Sequence, residues 1–277
     1  MTINCKGTLI DLKKPKVMGV LNVTPDSFYD GGRYKDEVSI LRQTEKLLNE
    51  GAAFIDLGAY SSRPNAADIS EEEELRRILP VVDLLLNNFP DIYLSIDTFR
   101  SKVARSCLEN GAAMINDISA GNLDSGMMAT ISEFKVPYIM MHMKGNPQNM
   151  VQKATYDKLL EEVLHYLSET VALAKSFGIN DIILDPGFGF SKNTFQNFSL
   201  LRNLHLFKTF SLPVLVGLSR KSMICKTLGN KPSEALNGTT VLNTYALTKG
   251  ANILRVHDVK EAMECIELLE ALNQTED

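Results

Sequence analysis

Short apolar runs alternate with longer mixed stretches along nearly the whole chain. Apolar runs of this length predict buried strands, and the longer mixed stretches predict helices. Eight runs of the first kind occur, at residues 16–21, 54–57, 93–96, 114–116, 138–141, 182–184, 213–216 and 252–256. Helices are predicted after them at about 36–50, 71–88, 99–110, 124–134, 155–177, 194–208, 220–228 with 233–249, and 259–272.

The spacing of the eight strands indicates how they assemble. They recur about every 34 residues, the size of one strand–helix–strand repeat. Their runs are nearly continuous in apolar residues and do not alternate, as expected when both faces of a parallel sheet are buried. We therefore predict an α/β fold, a (β/α)8 TIM barrel forming a single domain over residues 1–277, with a short N-terminal β-hairpin near residues 3–12 that covers the barrel floor. An open doubly wound sheet is the alternative, but no glycine-rich dinucleotide-binding turn follows the first strand.

Two helix starts carry a capping pattern. Ser70 and Glu73 open the second predicted helix, and Asp258 and Glu261 open the last. A side-chain oxygen at the first of these positions can accept a hydrogen bond from a backbone N–H of the first turn. We therefore expect Ser70 and Asp258 to act as helix caps.

Composition and charge disfavour several classes of protein. The 277 residues include 29 Lys and Arg against 34 Asp and Glu, with no basic block, so nucleic acid is not expected as a partner. No apolar run is long enough to span a membrane, and no signal-peptide pattern opens the chain. The four cysteines are too dispersed for a disulfide framework, which favours a reducing, cytoplasmic location.

Polar side chains occur at every predicted strand end, where barrels of this kind build their chemistry. The residues at or just beyond these ends are Asn22, Asp56, Asp97, Asn116 with Asp117, His142, Asp185, Gly217 leading to Ser219–Ser222, and Arg255 with His257. This regularity predicts an active site at the C-terminal mouth. The loops at 23–35 and 60–69 are rich in Gly, Pro, Ser and Asp and are placed to close over it.

These residues divide into two chemical groups. Carboxylate, amide and ammonium groups suit a flat, nitrogen-rich heterocycle, because they can satisfy its ring N–H, amino and carbonyl groups. This first group comprises Asp97, Asn116, Asp185 and Lys221. The second group is suited to an anion such as diphosphate, because Arg matches phosphate oxygens. It comprises Arg63, Arg255, His257 and Asn22, the last as an oxygen ligand to Mg²⁺.

Structural roles are the alternative for several of these residues. Asp97 precedes a helix start and could cap it, and Asn116 or Asp117 could hold the turn that follows the fourth strand. Lys221 could be a solvated first-turn residue, although a cation there opposes the helix dipole. His142 ends a strand and has no assigned role.

Several motifs occur in a fixed order along the chain. The longest is Met18-Gly-Val-Leu-Asn-Val-Thr-Pro-Asp-Ser-Phe28, with Asp30-Gly-Gly32 after it. Shorter blocks follow in order: Ser62-Arg-Pro64, Ser95-Ile-Asp97, Ile115-Asn-Asp117, Asp185-Pro-Gly-Phe-Gly-Phe190, Ser219-Arg-Lys-Ser222 and Arg255-Val-His257. Together these motifs resemble those of the dihydropteroate synthase family over about residues 15–260. The resemblance implies a barrel that joins (7,8-dihydropterin-6-yl)methyl diphosphate to 4-aminobenzoate and releases diphosphate. It also implies Mg²⁺ as cofactor, a homodimer and inhibition by sulfonamides.

The resemblance also implies a role for each matching residue. Asp97, Asn116, Asp185 and Lys221 would hold the pterin, with Gly217 and Met141 beside the ring. Ser62, Arg63, Arg255 and His257 would contact the diphosphate, and Asn22 would bind Mg²⁺. Phe28, Pro64, Phe190, Ser219, Lys221 and Ser222 would contact the 4-aminobenzoate. One position departs from the family, since Tyr60 stands where its second-loop motif, Gly-Glu-Ser-Thr-Arg-Pro, has Glu.

The chemistry expected of such a site is a dissociative displacement. Diphosphate leaves, Asp97 and Asp185 stabilise the pterin cation, Arg255 and His257 stabilise the leaving anion, and the arylamine then attacks. A cobalamin-dependent methyltransferase, a metal-dependent barrel hydrolase and a non-catalytic pterin-binding protein are the competing interpretations. A methyltransferase needs no anion site, so Arg63, Arg255 and His257 disfavour it. The scarcity of His disfavours the metal-dependent hydrolase. The presence of Asn22 and Arg63 disfavours the non-catalytic binding protein. The apolar helices near 233–249 and 259–272 are the expected dimer interface.

Overall fold

A parallel barrel forms the body of the molecule. The computed structural model describes residues 1–23, 33–60, 68–150 and 152–274. Its strands are β1 (Thr2–Cys5), β2 (Thr8–Asp11), β3 (Lys16–Asn22), β4 (Phe54–Gly58), β5 (Leu94–Asp97), β6 (Met114–Asp117), β7 (Tyr138–Met141), β8 (Ile182–Asp185), β9 (Leu215–Val216) and β10 (Ile253–Val256). The last eight lie side by side in the order β8-β7-β6-β5-β4-β3-β10-β9. A parallel bridge between Leu184 and Val214 joins the two ends. The predicted TIM barrel is confirmed.

Helices follow the strands in the predicted alternation. Those within the described residues are α1 (Arg33–Asn49), α2 (Glu71–Asn88), α3 (Ser101–Glu109), α4 (Met127–Phe134), α5 (Leu159–Ser176), α6 (Thr194–Arg202), α7 (Ser222–Leu228), α8 (Leu236–Thr248) and α9 (Val259–Asn273). The predicted helix at 194–208 instead ends at Arg202 and gives way to a 3₁₀ turn over Leu204–Phe210. None of these helices is both long and apolar enough to cross a membrane.

The N-terminal hairpin covers the floor of the barrel, as predicted. Strands β1 and β2 pair antiparallel, with Cys5 opposite Thr8 at the turn. The buried hairpin side chains Ile3 and Cys5 pack with Leu12 against residues from the first half of the barrel strands. Those residues are Met18, Phe54, Met114, Ile139, Ile183, Leu215 and Ile253. One end of the barrel is therefore filled with apolar groups, and polar chemistry is confined to the opposite mouth.

The two predicted helix caps have different outcomes. The hydroxyl oxygen of Ser70 accepts a hydrogen bond from the Glu73 amide at 3.2 Å, so this cap is confirmed. Asp258 makes no side-chain capping bond, and that prediction is wrong. Its carboxylate instead accepts two hydrogen bonds from the Arg220 guanidinium, at 2.5 and 3.0 Å. A two-pronged ion pair with Arg is a stronger use of a carboxylate than one backbone N–H.

Candidate active site

A connected network of charged and amide groups occupies the C-terminal mouth of the barrel. Arg255 on β10 donates from Nε to Asp56 Oδ2 at 2.6 Å and from Nη2 to Asp97 Oδ2 at 2.7 Å. Asn116 on β6 donates from Nδ2 to the same Asp56 oxygen at 3.0 Å. Ser95 on β5 donates its hydroxyl proton to Asp56 Oδ1 at 2.6 Å. Asp56 lies on β4, so four strands, β10, β4, β5 and β6, contribute to one hydrogen-bonded network.

Asp56 is the central acceptor of this network. Its side chain is fully buried, and it accepts three hydrogen bonds from Ser95, Asn116 and Arg255. A buried carboxylate is stable only when paired and fully hydrogen-bonded, and here both conditions are met. Asp56 lies at a predicted strand end, but neither the residue pattern nor the family resemblance assigns it a role. The signal was present, because a carboxylate inside the apolar run Phe54-Ile-Asp-Leu57 needs a buried partner.

The electrostatics of the network favour an ionised Arg255 and a weakly acidic Asp97. Although burial opposes its charge, the carboxylates of Asp56 and Asp97 raise the pKa of Arg255. Burial raises the pKa of Asp97 to about 7. The charge of Arg255 acts to lower this pKa, and the charge of Asp56 acts to raise it further. Two carboxylates thus share one guanidinium, and a further cation bound nearby would favour ionised Asp97.

Asp185 and Lys221 form the second charged pair of the mouth. Asp185 ends β8, and its Oδ1 accepts from the Gly187 amide at 2.7 Å. Burial raises the pKa of Asp185, and the charge of Lys221 opposes that rise. Burial lowers the pKa of Lys221 to about 8, although Asp185 works in the other direction. The ammonium group of Lys221 donates to the Phe188 carbonyl and lies 4.9 Å from the centre of the Phe190 ring.

Two glycines provide room for these side chains. A Cβ on Gly217 would lie 3.8 Å from Lys221 Nζ and 4.0 Å from Arg255 Cβ, so the two cations flank one glycine. A Cβ on Gly58 would lie 3.4 Å from both Asn22 Oδ1 and Asp97 Cβ. The amide oxygen of Asn22 and the side chain of Asp97 therefore face the same small space at the ends of β3 and β5. Both are hard oxygen donors, the type that Mg²⁺ prefers.

The loop after β9 is tied to the end of β10. His257 Nδ1 lies 3.0 Å from the Ser219 hydroxyl oxygen, which also accepts from the His257 amide at 3.2 Å. The next residue, Arg220, has a left-handed backbone with φ of 56° and pairs with Asp258. These contacts fix the approach to α7, whose first residue is Ser222.

An apolar wall stands beside the polar network. Met141, Ile118, Met143 and Met150 are buried together, and Phe190 packs against them with Phe99. This cluster is separate from the main core between strands and helices. Its residues come from loops after β6, β7 and β8 and from the end of β7. A flat ring bound over Asp97, Asn116 and Asp185 would therefore meet an apolar surface.

Comparisons with known proteins agree with this geometry. Residues 18–257 match a family described as pterin-binding enzymes. The chain is 43% identical over 273 residues to a dihydropteroate synthase of Escherichia coli strain K12, covering 98% of this chain and 96% of that one. It superposes on a Yersinia pestis dihydropteroate synthase in complex with a sulfonamide drug, with a TM-score of 0.92, 40% identity and coverage of 99% and 100%.

A Xanthomonas albilineans dihydropteroate synthase in complex with 7,8-dihydropteroate gives a TM-score of 0.89 at 34% identity, with each chain covered completely. This chain belongs to the dihydropteroate synthase family. The resemblance seen in the motifs is thereby confirmed.

Four site residues expected of a dihydropteroate synthase lie outside the described residues. They are Phe28, Ser62, Arg63 and Pro64. The family departure at Tyr60 lies within the described part of the chain. Its ring meets Phe99 edge to face at 5.2 Å, the Arg100 guanidinium lies 5.3 Å from its centre, and its hydroxyl oxygen accepts from Gln148 at 2.7 Å.

The structure also tests the structural roles that the sequence left open for Asp97, Asn116 and Asp117. Asp97 does not cap α3, which begins at Ser101 with Arg100 as the capping position, so the capping alternative is wrong. Asp117, not Asn116, holds the turn after β6. Its carboxylate accepts from Ser119, Gly121 and Tyr138 at 2.6 to 2.7 Å. Asn116 thus keeps a side chain in the mouth of the barrel.

The two chemical groups expected from the sequence are joined in the structure. Arg255, assigned to the anion group, pairs with Asp97 of the heterocycle group at 2.7 Å. The residues expected to contact the pterin and those expected to contact the anion are therefore adjacent in this dihydropteroate synthase family member.

Proposed function

We propose that this protein joins (7,8-dihydropterin-6-yl)methyl diphosphate to 4-aminobenzoate, forming 7,8-dihydropteroate and diphosphate. The observation that carries the proposal is the single network that joins Asp97, Asn116 and Arg255 at one barrel mouth. The second pair, Asp185 and Lys221, borders the same space, since Lys221 Nζ and Arg255 Cβ both lie beside Gly217. The relatives described above carry the dihydropteroate synthase name over nearly the whole chain.

Hydrogen-bond complementarity supports a pterin as the bound ring. Because Asn116 gives an Nδ2 proton to Asp56, its Oδ1 is left to accept from a ligand. Asp97 and Asp185 accept as well, and Lys221 donates. Three acceptors and one donor suit a ring with an amino group, ring N–H groups and one carbonyl. Met141 borders the space on the apolar side, and Gly217 borders it between Lys221 and Arg255.

The proposed reaction is dissociative. As the bond from the exocyclic methylene to diphosphate breaks, positive charge spreads into the dihydropterin ring. Asp97 and Asp185 stabilise that charge because their carboxylates are already oriented before the reaction. Arg255 and His257, with Ser62 and Arg63, hold the departing diphosphate. The amine of 4-aminobenzoate then attacks the methylene and loses a proton, so no covalent enzyme intermediate forms.

The residues at the mouth fit Mg²⁺ as a cofactor. Asn22 Oδ1 would hold it beside Asp97, within the small space that Gly58 leaves open. Mg²⁺ is bound through few protein oxygens when phosphate oxygens complete its shell, so one amide is sufficient. When bound, it would neutralise charge on the leaving diphosphate.

The second substrate would bind toward α7. Phe190, with Phe28 and Pro64, would line the ring of 4-aminobenzoate, and Lys221 lies within 4.9 Å of the Phe190 ring. Ser219 and Ser222 bracket the start of α7, where N–H groups favour a carboxylate. Sulfonamides, which one relative binds, would compete for the same place.

A cytoplasmic homodimer is the state we propose. All four cysteines, which lie in the described residues, are free thiols, as expected in a reducing compartment. Helices α8 and α9 pack together and expose apolar side chains, among them Val241, Tyr245 and Leu268. Exposed apolar residues on adjacent helices are typical of an interface between copies.

Replacing Val241 by Glu should separate the dimer. Val241 is 57% exposed on α8, so a charge there costs little in the monomer but would be buried unpaired in the interface. Sedimentation velocity at micromolar concentration should show a dimer for the natural protein and a monomer for Val241→Glu. The control is Leu9→Glu on the hairpin, 70% exposed, which should remain dimeric. A natural protein that sediments as a monomer would refute the assignment.

The activity should fall in alkaline solution through loss of charge on Lys221. Burial lowers the pKa of Lys221 to about 8, so this amine loses its proton above about pH 8 rather than above 10.5. We therefore expect kcat/KM for the pterin substrate to decline above pH 8. In Lys221→Arg the guanidinium stays charged, so the maximum should be lower but the decline absent.

The control for this pH profile is Lys226→Arg, a change of the same type in the last turn of α7. It should leave the alkaline decline in place. A decline near pH 8 that survives in Lys221→Arg would assign the titration to another group.

The reaction itself is tested by incubating the protein with the pterin diphosphate, Mg²⁺ and radiolabelled 4-aminobenzoate. We expect label in dihydropteroate and diphosphate released in equal amount. If no labelled product forms in this incubation, the proposed transferase function is wrong.

A further inference from the structure

A buried lysine outside the substrate contacts lies directly behind the active site. Lys192 follows the Gly187–Phe190 loop and is 8% exposed. Its ammonium group lies 2.9 Å from His142 Nδ1 and donates to the carbonyl oxygens of Gly187 at 3.0 Å and Phe190 at 3.1 Å. These three acceptors match the three N–H donors of an ammonium group, and the His142 carbonyl oxygen lies farther away, at 3.5 Å. All four groups are uncharged.

Such an arrangement is costly for stability alone. Burying an ammonium group among neutral acceptors carries a desolvation penalty, which lowers the pKa of Lys192 to about 7. None of the direct acceptors carries a charge, so no close ion pair offsets this penalty. The charge of Asp185 opposes the penalty, so the lysine is placed where a site carboxylate favours its charge.

The two carbonyl oxygens that Lys192 binds lie at the two ends of one short loop. Gly187 and Gly189 in this loop have left-handed φ angles of 73° and 80°. A Cβ on Gly187 would clash with the His142 carbonyl oxygen, so the loop approaches β7 as closely as glycine allows. Between Gly187 and Phe190, the Phe188 carbonyl oxygen accepts a hydrogen bond from the Lys221 ammonium group. The Phe190 ring lies beside the same ammonium group.

His142 fixes the direction of Lys192. The histidine is buried, and burial lowers its pKa to about 2, so its ring is neutral and Nδ1 can accept. The ring packs edge to face on Tyr166 at 4.8 Å, which restrains its rotation. The backbone amide of His142 donates to the Asp185 carbonyl oxygen at 3.0 Å. His142 thus connects β7 to the loop that follows β8.

We propose that Lys192 and His142 form a buried clamp that positions Phe190 and Lys221 for the arylamine substrate. Lys192 is a positioning residue, because it acts through the loop and touches no substrate. The inference rests on the proposed function and deepens it. It predicts that loss of the clamp affects the 4-aminobenzoate side of the site more than the pterin side.

The test compares Lys192→Met, which keeps chain length but removes the donors, with Lys144→Met as control. Lys144 also lies near His142, but its ammonium group binds Glu162 and the Thr155 carbonyl instead of the loop. We expect Lys192→Met to raise KM for 4-aminobenzoate by about tenfold or more, with a smaller change in KM for the pterin substrate. Lys144→Met should leave both unchanged. Equal changes in the two KM values, or none, would overturn the clamp.

A second pair of variants keeps the test decisive if Lys192→Met fails to fold. His142→Asn retains an acceptor close to the position of Nδ1, whereas His142→Phe removes it. We expect the phenylalanine variant to show the selective rise in KM and the asparagine variant to recover most of it. Equal behaviour of the two would overturn the clamp.

Calorimetric titration of the same variants with 7,8-dihydropteroate measures binding affinity at the site without turnover. A natural protein that binds dihydropteroate but forms none would refute the proposed function alone. In that case the clamp is still judged by whether Lys192→Met and His142→Phe weaken this binding and Lys144→Met does not.

Discussion

Replacing Asp185 by Asn is expected to lower kcat by about 10²–10³-fold while leaving the fold intact. Asn retains an oxygen that can accept from the Gly187 amide, as Asp185 Oδ1 does now. It removes the negative charge that stabilises the pterin cation, and it presents an N–H donor toward ligand donors. The effect should therefore appear in turnover and in pterin affinity but not in the unfolding transition. Steady-state kinetics with both substrates, alongside chemical denaturation, measures the two separately.

The matched control is Asp181→Asn at the opposite end of the same strand. Asp181 precedes β8, and its carboxylate accepts from the Asn4 amide of the hairpin at 3.2 Å. It lies on the floor of the barrel, where residues contribute to stability and not to chemistry. Its variant should keep natural turnover. Natural turnover in Asp185→Asn as well would mean that this carboxylate does not stabilise the reacting ring.

Replacing Asp56 by Asn should damage stability and activity together. Asp56 accepts from Ser95, Asn116 and Arg255, and an amide in its place directs N–H groups at these donors. Breaking a buried ion pair costs about 3–5 kcal/mol, and we expect about 3 kcal/mol because Arg255 keeps Asp97 as a partner. Both Arg255 and Asn116 lose a fixed orientation, so kcat/KM for the pterin substrate should fall by about 10²-fold.

Ser95→Ala separates the stability effect from the effect on the site. It removes one hydrogen bond to Asp56 but leaves the contacts with Asn116 and Arg255 in place. We expect a loss of about 1 kcal/mol in the free energy of unfolding and nearly natural kinetics. If Asp56→Asn were as stable and as active as the natural protein, the network would not be what orients Arg255.

The architecture was predictable from the sequence because each strand is a short and mainly apolar run. Eight such runs at a regular interval leave few alternatives to a closed parallel barrel. In a closed parallel barrel, the C-terminal ends of all eight strands lie at the same mouth. Asp97 and Asn116 occupy paired register positions on adjacent strands, so their proximity follows once the strand order is known.

The partners of each charge could not be predicted in the same way. Asp56 binds residues 39, 60 and 199 positions away along the chain, and no local pattern indicates such contacts. The expected cap at Asp258 was wrong because Arg220, 38 positions earlier, competes for the carboxylate. Lys192 follows a glycine-rich loop and gives no sign of burial in the sequence, since only the folded Gly187–Phe190 loop encloses its ammonium group.

A crystal structure of the protein with bound 7,8-dihydropteroate would show directly which residues hold each half of the ligand. We predict the pterin half within hydrogen-bond distance of Asp97, Asn116 and Asp185, and the benzoate half between Phe190 and the start of α7. Arg255 should retain Asp56 and Asp97 as partners. A ligand bound away from this mouth, or with its two halves reversed, would contradict the assignment of these residues.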